Sequence, residues 1–338
     1  MLCNHFIPQL PATKLNHMNI LITSAGRRVS LVRAFQTEAR MFDSKSRVLT
    51  VDVQPELSPA CQLSDYYQCV PEASSTGYIP VLLNICISKN IDLLIPTIDP
   101  ELEILAENRS LFEELGTKMV VSDIELIRAC QDKRNTINFF EQMGISTPQI
   151  LDKQQPEYPI YAKPYDGSSS ENNYIIKRAA QLRDHHMNDE KLLFFEYLDH
   201  KVHDEYTLDL YYDRQSELKC VVPRKRLEVR DGEISKGLTE DNMLVPFVRD
   251  RMSNIPGARG CLTLQLFVNK QNKNIHGIEL NPRFGGGYPL SYLAGANYPR
   301  WLIEEYLMNR RIDYFYNWEP NLLMLRYDNE VLVHDYHD

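Results

Sequence analysis

The chain has 338 residues, 43% hydrophobic and 25% charged, the balance of a soluble globular protein large enough for two or three subdomains. Its formal net charge of −9, with Lys and Arg scattered along the chain, excludes a broad basic face for nucleic acid. Seven cysteines, at 3, 61, 69, 86, 130, 220 and 261, form no C-x-x-C pair and read as reduced thiols of a cytoplasmic protein. No apolar run approaches the roughly 20 residues that cross a bilayer, so no membrane association is expected.

Residues 1–17 lack the uninterrupted apolar stretch of a signal peptide and read as an extension. Apolar strands are predicted at Asn19 to Thr23, Val48 to Val53, Ile91 to Pro96 and Met119 to Val121, separated by stretches long enough for helices. That alternation predicts a parallel sheet covered on both faces over residues 18–121. Asp52 lies where a ribose-binding acid would fall in a dinucleotide fold, but Gly26 stands alone and the G-x-G-x-x-G fingerprint is missing. Arg27 and Arg28 in the loop after the first strand, with Asp99 and Glu101, either face a substrate pocket or are solvated loop charges.

Ser122-Asp123 opens a helix, and Asp132 caps a second that stops at Gly144. Lys133, in the first turn of that helix, is slightly unfavourable against the helix dipole unless it meets an anion. From about 158 the texture becomes β-rich, with few long helices between strands, which predicts mainly antiparallel sheets. Lys163 ends a short strand and is followed by Gly167, Ser168, Ser169 and Ser170. Such a loop either cradles phosphate oxygens beside the lysine or forms a hairpin tip, and no P-loop sequence occurs.

Leu192 to Leu198 is an apolar strand interrupted by Glu196, suited to a flat slot for a purine base or to a core position. In the strand from Glu205 to Tyr211, alternation places Glu205, Thr207 and Asp209 on one face, with Glu205 a candidate for sugar hydroxyls. Arg224, Lys225, Arg226 and Lys236 make a small basic set, either lining a channel for anionic substrate or solvated. Gln265 projects away from Leu264 and Leu266. The last motif, Ile278-Glu279-Leu280-Asn281-Pro282-Arg283-Phe284-Gly285-Gly286-Gly287, is the most informative. In an extended strand Glu279 and Asn281 share one face while Ile278 and Leu280 enter the core. Two oxygen donors one repeat apart suit Mg²⁺, with Gln265 as a third, and the Arg283 fork suits a phosphate or carboxylate.

Taken in order, these signals resemble the ATP-grasp superfamily, and within it the stand-alone relatives of the carbamoyl-phosphate synthase large subunit. The resemblance covers residues 18 to about 312 and rests most on Lys133, Lys163, Glu205, Glu279, Asn281 and Arg283. It implies an α/β (pre-ATP-grasp) domain at 18–121, then a two-lobed α+β ATP-grasp domain at 122–312. The small lid lobe would span about 158–198, the larger lobe 199–312, and a C-terminal segment 313–338. It further implies that Lys133 and Lys163 contact phosphates, that Gly167 to Ser170 close over them, that Glu196, Tyr197 and Leu198 read adenine, and that Glu205 reads ribose. Glu279 and Asn281, with Gln265 where the family often has an acid, would hold Mg²⁺, Mn²⁺ being the other candidate. Arg283, Lys163 and Arg224 are the expected catalytic cations. The activity implied is that of an ATP-dependent carboxylate-amine ligase working through an acylphosphate. The alternatives are a phosphotransferase or synthase without amine ligation and a non-catalytic nucleotide-binding subunit. Expected partners are ATP and small carboxylate and amine substrates, with a homodimer as the common soluble assembly.

Overall fold

The computed structural model describes residues 17–167, 172–230 and 232–336. Its first unit runs β1 (Asn19–Ile22), α1 (Val29–Phe42), β2 (Arg47–Asp52), α2 (Pro59–Gln62), β3 (Tyr66–Cys69), α3 (Tyr78–Lys89), β4 (Leu93–Ile95), α4 (Asp99–Glu107), α5 (Arg109–Glu114) and β5 (Lys118–Met119). All the pairings are parallel, in the order β3-β2-β1-β4-β5. The unbroken apolar run of β1 follows from burial on both faces: Ile20 and Ile22 enter one core and Leu21 the other. The chain reverses direction of sheet growth beside β1, and the loops following β1 and β4 meet there.

Those loops are held by buried polar groups. Asp52 accepts a hydrogen bond from the Gly26 amide at 2.8 Å, which is the use this fold makes of the acid at the end of β2. Glu101 faces neither solvent nor substrate; it is fully buried and accepts from the Thr97 and Ile98 amides, the Ser24 hydroxyl and the Tyr78 phenol. Burial raises its pKa, against the pull of the Tyr78, Thr97 and Ile98 donors. Replacing Glu101 with alanine strands the donors and is expected to cost about 3–5 kcal/mol, read as a lower denaturation midpoint. A change below about 1 kcal/mol would mean that the network contributes little.

Two helices, α6 (Ile124–Gln131) and α7 (Lys133–Gln142), lead out of the first unit, and the Asp132 carboxylate caps α7 by accepting from the Arg134 amide. A small antiparallel sheet follows, with β6 (Ile160–Pro164) between β7 (Tyr174–Ile176) and, beyond α8 (Asp184–Asn188), β8 (Leu192–Glu196). Its core is Ile160, Ala162, Ile176, Leu192 and Phe194. By alternation along β6, Tyr161 and Lys163 face the other way.

The large sheet contains β9 (His203–Tyr212), β10 (Leu218–Arg230), β11 (Glu233–Thr239) and, after α9 (Leu244–Arg251), β12 (Gly260–Asn269) and β13 (Ile275–Asn281). After α10 (Tyr288–Leu293) and α11 (Tyr298–Leu302), β14 (Leu323–Leu325) completes it, in the order β13-β12-β9-β10-β11-β14. The segment after 312 therefore supplies an edge strand to this sheet. Leu208, Leu210, Leu262, Leu264, Leu266 and Leu280 pack one face against Phe140, Leu244 and Val248. α10 and α11 share a core with α1: Phe284 meets Phe35 edge-on at 6.0 Å, and the Tyr292 phenol donates to Glu38. Among the described residues no helix is long and apolar enough to cross a membrane, and six cysteines are free thiols.

One expectation fails in β13. The register skips between Gln265↔Glu279 and Leu266↔Gly277, so Ile278 is the extra residue of a bulge and lines the cleft instead of entering the core. Gly277 allows this because an added Cβ would lie 2.9 Å from the Phe140 ring.

Candidate active site

Between the small and large sheets lies a cleft of about 880 Å³. Its floor is set by register. Glu279, Gln265, Thr207 and Arg224 stand opposite one another across β13, β12, β9 and β10, and Asn281, Thr263 and Asp209 form the next row on the same face. Its roof carries Tyr161 and Lys163 from β6 and Lys133 from α7. Glu279, Gln265 and Asn281 thus face two ammonium groups contributed by segments over a hundred residues earlier.

The electrostatics match that arrangement. Burial pulls the Lys163 pKa down to about 8, Lys133 adds to the fall, and Glu279 opposes it. Lys133 is lowered by burial as well, with Glu279 again the leading opposing charge. The Lys133 amide donates to the Tyr165 carbonyl at 2.8 Å and its ammonium to the Gly167 carbonyl, tying α7 to the loop after β6. Ser168, Ser169 and Ser170 lie outside the described residues. Lys163 also sits 5.0 Å above the Phe195 ring of β8.

Glu196, Tyr197 and Leu198 line the same cleft, and the Glu196 amide donates to the Gln149 carbonyl at 2.8 Å. Glu205 lines it too, in an ion pair with Arg226 at 2.8 Å. Arg224 is almost wholly buried and grips the fully buried Asp209 with two hydrogen bonds, 2.7 and 3.0 Å. The Ser291 hydroxyl donates to the same carboxylate. Arg283 forks onto Asp99 at the start of α4, at 2.9 and 2.5 Å, joining the first unit to the large lobe. Burial works against the Arg283 charge, but Asp99 and Glu279 prevail and its pKa is raised.

The glycines after Arg283 are more than loop punctuation. A Cβ on Gly286 would fall 2.3 Å from Glu233 Oε1, and one on Gly287 2.1 Å from Arg224 Nη1. Only a bare backbone lets these charged groups approach the cleft floor. Sequence reading passes over Thr263, Glu233 and Arg326, all near this floor; strand alternation at Thr263 is the one signal that was available.

Among the described residues no three His, Cys, Asp or Glu side chains cluster as a ready cation cage. One carboxylate and two amide oxygens nevertheless fit Mg²⁺, which keeps waters and takes much of its coordination from phosphates.

Residues 20–120 match a family described as PylC-like, N-terminal domain, and residues 188–325 match ATP-grasp in the biosynthetic pathway with Ter operon. The chain resembles ATP-grasp proteins. It is 24% identical over 243 residues to a carbamoyl-phosphate synthase of Methanobrevibacter smithii, covering 63% of each chain. Over 138 residues it is 30% identical to the 3-methyl-D-ornithine–L-lysine ligase of Methanosarcina mazei, covering 41% of this chain and 34% of the ligase. The matches thus span less than two thirds of either relative. In fold, the chain resembles the biotin carboxylase domain of Hydrogenobacter thermophilus 2-oxoglutarate carboxylase, determined with MgADP and bicarbonate. That superposition has a TM-score of 0.67 at 13% identity and covers 91% of this chain and 74% of the other. The parallel N-terminal sheet followed by two antiparallel sheets is the expected ATP-grasp architecture.

Proposed function

We propose that the protein is an ATP-dependent carboxylate-amine ligase. The observation that carries this reading is the facing of Lys133 and Lys163 by Glu279, Gln265 and Asn281 across the cleft between the two sheets. Phosphoryl transfer needs positioning and neutralised charge more than a protein nucleophile, and the donor set supplies both. A relative that carries a ligase name, and a neighbour of the same fold holding MgADP, support the choice of nucleotide and reaction class.

In this reading Lys133 and Lys163 hold the phosphates, and Gly167 borders them. Glu196, Tyr197 and Leu198 border the base, with Phe195 beneath Lys163 and Glu205 set for ribose hydroxyls once Arg226 releases it. Glu279, Asn281 and Gln265 would hold Mg²⁺, or Mn²⁺ in its place. The bound cation would neutralise phosphate charge and orient the terminal phosphoryl group. Arg283, already locked by Asp99, keeps a fixed positive charge beside the reacting oxygens, and Arg224 stiffens the floor. The substrate carboxylate oxygen attacks the terminal phosphorus and ADP leaves. An amine nitrogen then attacks the acyl carbon, the C–O bond to phosphate breaks, and one proton is lost.

The test is ADP release from Mg-ATP against a matrix of amino acids, hydroxy acids and sugar acids, with and without added amines, and mass spectrometry for amide products. Amine-dependent ADP release with an amide product is expected. Release without amine consumption would replace ligation by phosphorylation alone, and tight nucleotide binding with no release would leave a binding subunit.

The pH dependence follows from Lys163. With a pKa of about 8, its ammonium is present below that pH and lost above it. A phosphate contact needs the charged form, so affinity for Mg-ATP is expected to fall about tenfold per pH unit above about 8. Lys163→Arg should flatten the profile, because a guanidinium keeps its charge. A wild-type profile that stays level to about pH 10 would remove Lys163 from the phosphate site.

A further inference from the structure

At the end of the cleft built by the loops after β1 and β4, Arg28, Asp99, Glu233, Arg283 and Arg326 share one electrostatic neighbourhood. Both acids there are engaged. Asp99 takes the Arg283 fork, and Glu233 takes Arg326 at 2.8 Å. Arg28 has no such carboxylate among the described residues. Its Nη2 makes a long contact of 3.4 Å to the Thr97 carbonyl, and its Nη1 is buried without a hydrogen-bond partner. Burial and the neighbouring Arg283 lower the Arg28 pKa while Glu233 and Asp99 raise it, but a guanidinium remains cationic at neutral pH. A dry, unmatched guanidinium N–H on a residue that lines the cleft at the switch point of a parallel sheet is arranged to receive an anion.

The chemistry of ligation says which anion. The acid substrate's carboxylate is the reacting group and must meet the phosphoryl group among Lys163, Asn281 and Arg283. An anion on Arg28 is therefore a group that does not react, and it comes with the amine. Resting on the ligase reading, we propose that the amine substrate is an amino acid whose own carboxylate docks on Arg28.

The test uses full-length protein loaded with Mg²⁺ and a non-hydrolysable ATP analogue, titrated calorimetrically with the common L-amino acids and with the amine obtained by decarboxylating each. At least one amino acid should bind saturably, with its decarboxylated amine at least roughly tenfold weaker. Arg28→Met should reduce that amino acid to the affinity of its amine while the affinity for the analogue is unchanged, which also certifies the fold. Arg28→Lys should restore part of the difference, since the charge returns without the fork. The proposal is overturned if no amino acid binds the nucleotide-loaded protein, if amino acid and amine bind alike, or if Arg28→Met leaves binding as it was. If the analogue itself does not bind, the ligase reading falls first and the proposal with it.

Discussion

Glu279→Ala is expected to lower the rate of ADP formation by at least about a thousandfold while leaving the melting transition nearly in place. The residue is the one carboxylate of the row formed with Gln265 and Thr207, and its side chain opens to the cleft and not to the leucine core behind it. Removing it creates no core cavity, so stability should change by about 1 kcal/mol or less. It does remove the leading charge that opposes the fall of the Lys163 and Lys133 pKa values. A second signature follows: the loss of nucleotide affinity with rising pH should begin below the wild-type onset. Glu279→Gln separates the two roles, since the amide preserves a donor oxygen but not the charge. Steady-state ADP release and nucleotide titration across pH would check this, and normal turnover by a folded Glu279→Ala protein would sink the assignment.

How far such a site can be read from sequence depends on whether it was built by local periodicity or by long-range contact. The doubly buried β1 announces itself as an unbroken apolar run, and alternation along β9 and β12 places Thr207, Asp209 and Gln265 on one face. β3 escapes notice because Tyr66 to Cys69 are mostly exposed and carry no apolar pattern. The Ile278 bulge is invisible because one extra residue leaves the composition of β13 unchanged while altering which side chain faces the cleft. Pairings across the molecule are hidden for a different reason. Arg283 and Asp99 are 184 positions apart, and the same two residues read alone are a phosphate clamp and a loop acid. Burial inverts the meaning of Glu101 in the same way, from a candidate for substrate to a brace for the loops that present Arg28.

The joining of units by Arg283 and Asp99 has a functional corollary. The Asn-Pro-Arg segment belongs to the large lobe, but its guanidinium is aimed by the first unit, so the two cannot shift without loosening that ion pair. The shared core of α1, α10 and α11 enforces the same relation through packing. The small sheet instead has its own five-residue core, and the loop after β6 takes the Lys133 ammonium through the Gly167 carbonyl.

Asp209→Ala is expected to be the most destabilising single change in the cleft, about 3–5 kcal/mol and so roughly 4–7 °C in melting temperature. Asp209 is fully buried and accepts from Arg224 through two hydrogen bonds and from the Ser291 hydroxyl. Truncation leaves the Arg224 guanidinium, itself almost wholly buried, without its counter-charge in a place that water does not reach. Gly287 presses against Arg224 Nη1, so a displaced guanidinium would push the glycine run and with it the placement of Arg283. Loss of ADP formation should accompany loss of stability. The cost belongs to the stranded charge more than to the bond, which gives a sharper test. Asp209→Ala with Arg224→Met removes both charges and restores apolar volume, and should be more stable than Asp209→Ala alone. Denaturation curves of the two single variants and the double variant decide it. If the two costs simply add, the pair is not a coupled unit, and the stiffness of the cleft floor has another source.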